Sequence, residues 1–326
     1  MKAIAYRTYG TPDVLTLEEM EIPTPKANEV RIRIQAATVS SADTTFRAGR
    51  DTMARMFTGL RRPKRPVLGT ELAGVVDAVG ADVTRFSVGD EIYAATGDDF
   101  GAHAEYVNIP EDGAMAAKPS NMSFVQAAAL AEGTLTALPF LRDTANLQPG
   151  QRVLINGASG SVGAAAVQLA KTLGAHVTAV TSTRNVELVR GLGADEVIDY
   201  TQADFTQSGQ TWDVIFDAVG KSSYGKAKRA LSERGKYLTT VMSGKILFQG
   251  LWTKLFGKKR AKLSLTGLRK PAQKVADLNT VRELAEAGRL EAVIDREFTL
   301  AEAAEAHRLV ETGHKRGHAV LVMGVA

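Results

Sequence analysis

The chain has 326 residues, 44% of them hydrophobic and 23% charged, enough to bury a large core and to favour two domains over one. Its formal net charge of +4 comes from 40 basic and 36 acidic residues spread along the sequence, which describes a mildly basic globular surface rather than a polyanion-binding tail. The lack of cysteine excludes disulfides, thiolate chemistry and sulfur-ligated metals, leaving five histidines and the carboxylates as metal donors.

The opening MKAIAYR is charged and enters a strand pattern directly, and no apolar run reaches the ~18 residues of a membrane span. A soluble cytoplasmic protein is expected. Glu29–Gln35 alternates Val30, Ile32 and Ile34 with Arg31, Arg33 and Gln35, the period of a strand with one wet face. Short β-like pieces follow at Gly74–Val79, Asp90–Ala94 and His103–Ile109, separated by turns such as Val88-Gly89-Asp90. Together they predict a partly closed β-barrel. Two basic clusters, Arg61–Arg65 and Lys254–Lys262, lack the aromatic interleaving of a single-strand platform, so no nucleic-acid partner is expected.

Near residue 120 the pattern changes to apolar strands alternating with helices. Arg152–Asn156 precedes a helix over about 162–173; His176–Thr181 precedes a short helix ending at Gly193. Glu196–Asp199, Val214–Ala218 and Tyr237–Val241 read as further strands. Strands buried on both faces and joined by helices predict a parallel, doubly wound α/β sheet. The tail from Phe298 reads as helix, turn and strand returning to the N-terminal domain.

The stretch Gly157-Ala158-Ser159-Gly160-Ser161-Val162-Gly163 follows the first parallel strand and opens its first helix, the place of a dinucleotide loop. There Gly160 admits a pyrophosphate, Gly163 lets the helix pack on the strand, and the amides near Ser161 and Val162 face the phosphates with the helix dipole behind them. The second strand then ends Ser182-Thr183-Arg184, with no acid before Glu187. Hydroxyls and a guanidinium suit a 2′-phosphate, and an anion would offset a cation near a helix start. The expected cofactor is NADPH; the bland alternative for Arg184 is a solvent-facing loop residue.

At this point the chain resembles the medium-chain dehydrogenase/reductase superfamily, in particular its zinc-free quinone oxidoreductase and enone reductase branch. The resemblance spans nearly the whole length. It rests on MKAIAYRTYGTPDVLTLEE, on residues 67–94 (VLGTELAGVVDAVGADVTRFSVGDEIYA), on AAALAEGTLTAL (127–138), on residues 148–175 around the glycine loop, and on LGADEVIDY (192–200). It implies a GroES-like β-barrel domain (1–121 and 290–326), a Rossmann domain (122–289) with strand order 3-2-1-4-5-6, and a nicotinamide in the cleft between them. Dimers are common in the branch, so a homodimer is a possible state. The resemblance also makes Tyr200 a neighbour of the 2′-phosphate, or else a packing residue at a strand end.

Where the zinc-dependent relatives have a metal-binding histidine this chain has Thr70, and where they have a cysteine ligand it has Ser40. The remaining histidines are scattered, so no metal site is expected. Without a Lewis acid, a quinone or enone is the easier acceptor, because hydride leaves a delocalised anion that ordinary donors hold. The expected substrate is a small lipophilic carbonyl or quinone. The resemblance places Ser40, Asp43 and Thr136 as candidate catalytic contacts; Asp43 reads equally as a helix cap and Thr136 as a hydroxyl bonding its own backbone. Backbone at Val241-Met242-Ser243 and Leu265-Thr266 is expected at the carboxamide. Residues 243–262 carry an apolar stripe among basic residues, read as a lid, substrate wall or subunit contact, or as a membrane-surface segment. Two other functions stay open: an NADPH-binding structural or regulatory protein, and an alcohol dehydrogenase-type ketone reductase.

Overall fold

The computed structural model describes residues 1–50 and 52–324 and divides into two compact units, Met1–Glu132 with the chain from Arg269 onward, and Gly133–Leu268. The first unit contains β1 (Lys2–Tyr6), β2 (Leu15–Glu19), β3 (Glu29–Val39), α1 (Ser41–Ala48), α2 (Thr52–Thr58), β4 (Glu71–Val79), β5 (Glu91–Ala95), β6 (Tyr106–Pro110), β7 (Ala114–Ala117) and the start of α3 (Phe124–Pro139). The second contains the rest of α3, then β8 (Arg152–Asn156), α4 (Ser161–Thr172), β9 (His176–Thr181), α5 (Val186–Gly191), β10 (Glu196–Asp199), β11 (Trp212–Asp217), α6 (Tyr224–Ala227), β12 (Leu231–Thr239), α7 (Gly244–Phe256) and β13 (Arg260–Leu263). The chain then re-enters the first unit with α8 (Pro271–Glu286), β14 (Ile294–Thr299), α9 (Ala303–Glu311) and β15 (His318–Val322).

In the first unit, β3 is the hub. Val30, Ile32 and Ile34 are buried while Arg31, Arg33 and Gln35 stay half-buried, as the two-residue period requires. The sheet runs β14-β15-β3-β4-β5-β7, with β6 also pairing β3. Leu72, Val76, Ile92, Met115, Phe298 and Leu321 close the core around it. Truncating a core side chain such as Ile32 to alanine costs about 2–5 kcal/mol by this mechanism. The final strand pairs antiparallel with β3, Ala319 opposite Val39, so the tail completes this sheet. The strand expected from His103 begins only at Tyr106: over His103–Glu105 the backbone bridges to β1 instead, the Ile4 amide donating to the His103 carbonyl at 2.8 Å and the Glu105 amide to that of Lys2 at 3.0 Å, while the buried His103 ring meets the Thr38 carbonyl at 2.9 Å. α8 packs against β7; the Tyr93 hydroxyl donates to the Leu278 carbonyl and Asn121 Nδ2 donates to that of Ala285.

The second unit holds a six-stranded sheet of order β10-β9-β8-β11-β12-β13, every neighbouring pair parallel. In its own strand order this is 3-2-1-4-5-6, the doubly wound arrangement expected. Val153, Leu154 and Ile155 of β8 are fully buried, as a central strand covered by helices on both faces demands. One expectation shifts: the fifth strand is Leu231–Thr239, not Tyr237–Val241. Polar Ser232–Arg234 disguise its start, and the chain leaves the sheet after Thr239. Residues 124–144 are long and apolar enough to cross a membrane by length and composition, but 78% of that window is buried, which makes it a core segment.

Candidate nucleotide site and a buried acid

The turn after β8 is built by three glycines with three different tasks. Gly157 has φ +80°, a left-handed conformation that side chains resist. Gly163 sits in α4, where an added Cβ would lie 2.1 Å from the Gly157 carbonyl oxygen, so only glycine lets the helix seat on the turn. Gly160, the N-cap of α4, has an ordinary φ of −80°, and a Cβ there would meet nothing nearer than that oxygen at 3.6 Å. Neither conformation nor packing requires glycine at 160. What its hydrogen preserves is open space before the first-turn amides of a 12-residue helix, a cradle that fits an anionic group approaching the backbone. Ser161 and Val162 are half-buried at its edge, whereas Ala158 is fully buried and serves packing. Ser159 ties the turn to the next strand, its hydroxyl accepting from Thr181 at 2.9 Å and Asn185 at 3.0 Å.

The end of β9 brings together the other predicted nucleotide residues. Ser182 precedes a single helical turn, Thr183–Asn185, and the Tyr200 amide donates to the Thr181 carbonyl at 3.0 Å, which sets Tyr200 level with Ser182. Thr183, Arg184 and Tyr200 are all exposed there. A carboxylate missed in the sequence also stands here: Asp199 closes β10 and accepts from Thr183 Oγ1 at 2.5 Å, from the Thr201 amide and hydroxyl at 2.9 and 2.8 Å, and from Gln202 at 3.1 Å. These bonds, the Thr183 hydroxyl foremost, hold its carboxyl below the usual range. With both oxygens engaged, Asp199 anchors the loop.

At the point where strand order reverses, Asn156 of β8 donates to Asp217 of β11 at 2.9 Å. Fully buried Asp217 also accepts from the Tyr237 hydroxyl at 3.0 Å and the Ser222 amide at 2.8 Å, fixing the carboxyl ends of three strands. Ligands of doubly wound sheets bind at such a switch point. Val241 and Met242 are exposed just beyond β12, and Ser243 caps α7 by accepting from the Ile246 amide at 3.4 Å. Leu265 and Thr266 follow β13 at the same edge. Thr136 is half-buried on α3, one turn after Gly133, where an added Cβ would lie 2.6 Å from the Ser161 carbonyl.

The first unit holds a separate polar cluster. Ser40 and Asp43 form a capping box at the start of α1: the Ser40 amide and hydroxyl donate to Asp43 Oδ2 at 2.8 and 2.6 Å, and the Asp43 amide donates back to Ser40 Oγ at 3.2 Å. The other carboxylate oxygen of Asp43 accepts from the Gly69 amide at 3.0 Å, pinning the loop before β4. Both side chains are buried and committed to each other, so the geometry makes them positioning groups for that loop. The loop leads to Glu71. Its Oε2 accepts from Thr70 at 2.6 Å and Thr38 at 3.4 Å, while burial, aided by the nearby charge of Glu132, pushes its pKa up to about 8. A carboxyl in this setting keeps its proton at neutral pH. His318, across from Glu132 at 3.8 Å, is driven towards its neutral form by burial. Among the described residues, no group of three or more His, Cys, Asp or Glu side chains is gathered to hold a metal ion.

Residues 26–120 match the alcohol dehydrogenase GroES-like domain, and residues 192–321 match the zinc-binding dehydrogenase domain. A quinone-oxidoreductase homolog of spinach chloroplasts (Spinacia oleracea) is 33% identical, with 98% of each chain covered. The chain belongs to the medium-chain dehydrogenase/reductase family, in its quinone oxidoreductase branch. An NADPH-dependent alkenal/one oxidoreductase of Arabidopsis thaliana chloroplasts is 32% identical over 98% of this chain and 79% of its own length. The quinone oxidoreductase of Coxiella burnetii superposes with a TM-score of 0.87 at 31% identity, covering 99% of both chains. Family membership makes this protein an oxidoreductase with a nicotinamide cofactor. Among the described residues no donor set is gathered for the zinc in that family description, and the resemblance sets Ser40 and Thr70 at the places of the zinc-dependent relatives' ligands.

Proposed function

We propose that this reductase transfers hydride from NADPH to a quinone or to the conjugated double bond of an enone, without a metal ion. The observation that carries the reading is the Thr70–Glu71 pair: Thr70, in the place where the zinc-dependent branch has a metal donor, donates at 2.6 Å to the neighbouring Glu71 carboxyl, whose pKa burial raises to about 8. Such an environment supplies a proton and hydrogen bonds rather than a Lewis acid, which suits an acceptor that delocalises its own negative charge. The names of the spinach and Arabidopsis relatives support the same substrate class.

When bound, the nicotinamide supplies the hydride. The chain's residues then have separate roles. Gly160 gives the pyrophosphate its approach, and the amides of Ser161 and Val162 bind it. Ser182, Arg184 and Tyr200 would take the 2′-phosphate, the guanidinium supplying paired donors, next to the Thr183 hydroxyl that Asp199 holds. Backbone at Val241–Ser243 and Leu265–Thr266 would hold the carboxamide, and Thr136 would help to position the nicotinamide. Ser40 and Asp43 fix the loop that aims Glu71, and Glu71 delivers the proton that neutralises the reduced carbonyl compound.

Two measurements test this. NADPH oxidation is followed by absorbance with a panel of quinones, alkenals and saturated ketones; turnover of the first two classes is expected, and tight NADPH binding with no turnover of any would reject the reaction. Calorimetry with NADPH and NADH is expected to favour the phosphorylated carrier, and equal affinities would remove the phosphate assignment.

A further inference from the structure

α7 presents to solvent a face that amphipathic helices ordinarily bury. Over its 13 residues only Ile246 and Thr253 are buried, two turns apart on one side. Leu247, Phe248, Leu251, Trp252, Leu255 and Phe256 are between 53% and 72% exposed. At about 100° per residue they form two adjacent rows, Leu247–Leu251–Leu255 and Phe248–Trp252–Phe256. The aromatic row is already ordered, with ring centroids 6.3 Å apart for Phe248–Trp252 and 4.9 Å for Trp252–Phe256. A contiguous apolar face of this kind marks a contact surface.

Charge selects what the contact is. From Ser243 to Lys262 the sequence contains Lys245, Lys254, Lys258, Lys259, Arg260 and Lys262 and no carboxylate. A two-fold contact between copies would set these cations against themselves, because an isologous interface pairs a patch with its own image. An uncharged surface would answer only the apolar rows. An anionic bilayer answers both. Some cations also have internal duties: Lys258 pairs with Glu233 at 2.6 Å and Lys262 donates to the Thr144 carbonyl at 2.8 Å. Lys245 and Lys254 stand on the exposed side of α7 itself.

We propose that α7 docks this protein on an anionic phospholipid surface, its leucine and aromatic rows among the upper acyl chains and its lysines among the headgroup phosphates. A helix of 13 residues is about 20 Å long, short of the ~30 Å hydrocarbon core, so it lies in the interface plane rather than crossing it. Docking there would bring the enzyme to where a lipophilic acceptor concentrates, but the docking itself does not depend on the reaction assigned above.

The test uses the full chain with vesicles of phosphatidylcholine and phosphatidylglycerol in equal parts, read by co-sedimentation and tryptophan emission. Trp252 is one of two tryptophans; the other, Trp212, is fully buried with its indole donating to Thr178 at 2.9 Å, so a blue shift on binding reports α7. Binding with a blue shift is expected, falling about tenfold or more on phosphatidylcholine alone or at high salt. Phe248→Glu and Leu251→Glu are each expected to weaken partitioning about tenfold or more with unchanged melting temperature and NADPH affinity. No partitioning of the parent protein into the anionic vesicles would overturn the proposal, as would equal partitioning by both variants. A dimer dissociated by Phe248→Glu in sedimentation equilibrium, with no vesicle binding, would assign the face to a second copy instead.

Discussion

The Thr70 hydroxyl donates to Glu71 Oε2 at 2.6 Å, and this bond ties a side chain that replaces a metal donor to an acid whose pKa rises to about 8. Enone reduction that takes its proton from Glu71 should hold steady at neutral pH and decline as pH rises through about 8. Glu71→Gln keeps the shape, removes the proton, and is expected to lower turnover about 100-fold and abolish that high-pH limb. Stability carries the same group. The folded carboxyl keeps its proton to about 8, whereas the unfolded one releases it near 4.5, so the folded state binds the extra proton between those values. Stability should therefore fall as pH rises across that window, and chemical denaturation of Glu71→Gln should show a shallower fall.

The two helix-turn glycines should separate binding from folding. Gly163→Ala places a methyl against the Gly157 carbonyl, and the overpacking is expected to cost about 1–3 kcal/mol in denaturant melts. Gly160→Asp does the reverse. Its backbone, at φ −80° and ψ 173°, accepts a capping aspartate, which is expected to stabilise the nucleotide-free protein by about 0.5–1 kcal/mol. The same carboxylate fills the cradle and repels a pyrophosphate, so calorimetry should find NADPH binding lost. Retained affinity would move the phosphates elsewhere.

Arg184 should govern which carrier is preferred. Arg184→Ala is expected to weaken NADPH binding about 10–100-fold and leave NADH binding nearly unchanged, as loss of a paired phosphate contact requires. Equal losses for both carriers would show that Arg184 acts on a group they share.

What the sequence disclosed follows from the range over which each feature is encoded. The parallel strands Arg152–Asn156, His176–Thr181 and Glu196–Asp199 are legible to the residue because apolar runs and flanking turns encode them locally. β12 was obscured at its start by Ser232–Arg234, which lie where the strand leaves the core. The glycine turn was visible as spacing, but only the backbone shows that Gly157, Gly160 and Gly163 are glycine for different reasons. Asp199 reaches Thr183 across 16 residues, and Asp217 joins Asn156 across 61, so neither partnership is written in a local pattern. Glu71 is the clearest case. Its residue type is plain, but its raised pKa comes from burial and from Glu132, neither of which adjacency in sequence reveals.

His307 should set the acid limit of the fold. Its ring is fully buried in the first unit, 5.8 Å from the His103 ring at an 86° interplanar angle, and neither ring nitrogen makes a hydrogen bond. Burial, reinforced by His103 and Arg47, pushes its pKa down to about 2, so the folded imidazole stays neutral while the unfolded one gains a proton near 6.5. The unfolded state thus binds the additional proton below 6.5, and stability is lost progressively as pH falls from there towards 2. His307→Leu retains an apolar side chain in the same space and removes the titration. In melts at pH 7 and pH 5 the variant is expected to lose less stability on acidification than the parent protein. An equal loss in both would mean that other groups control acid unfolding.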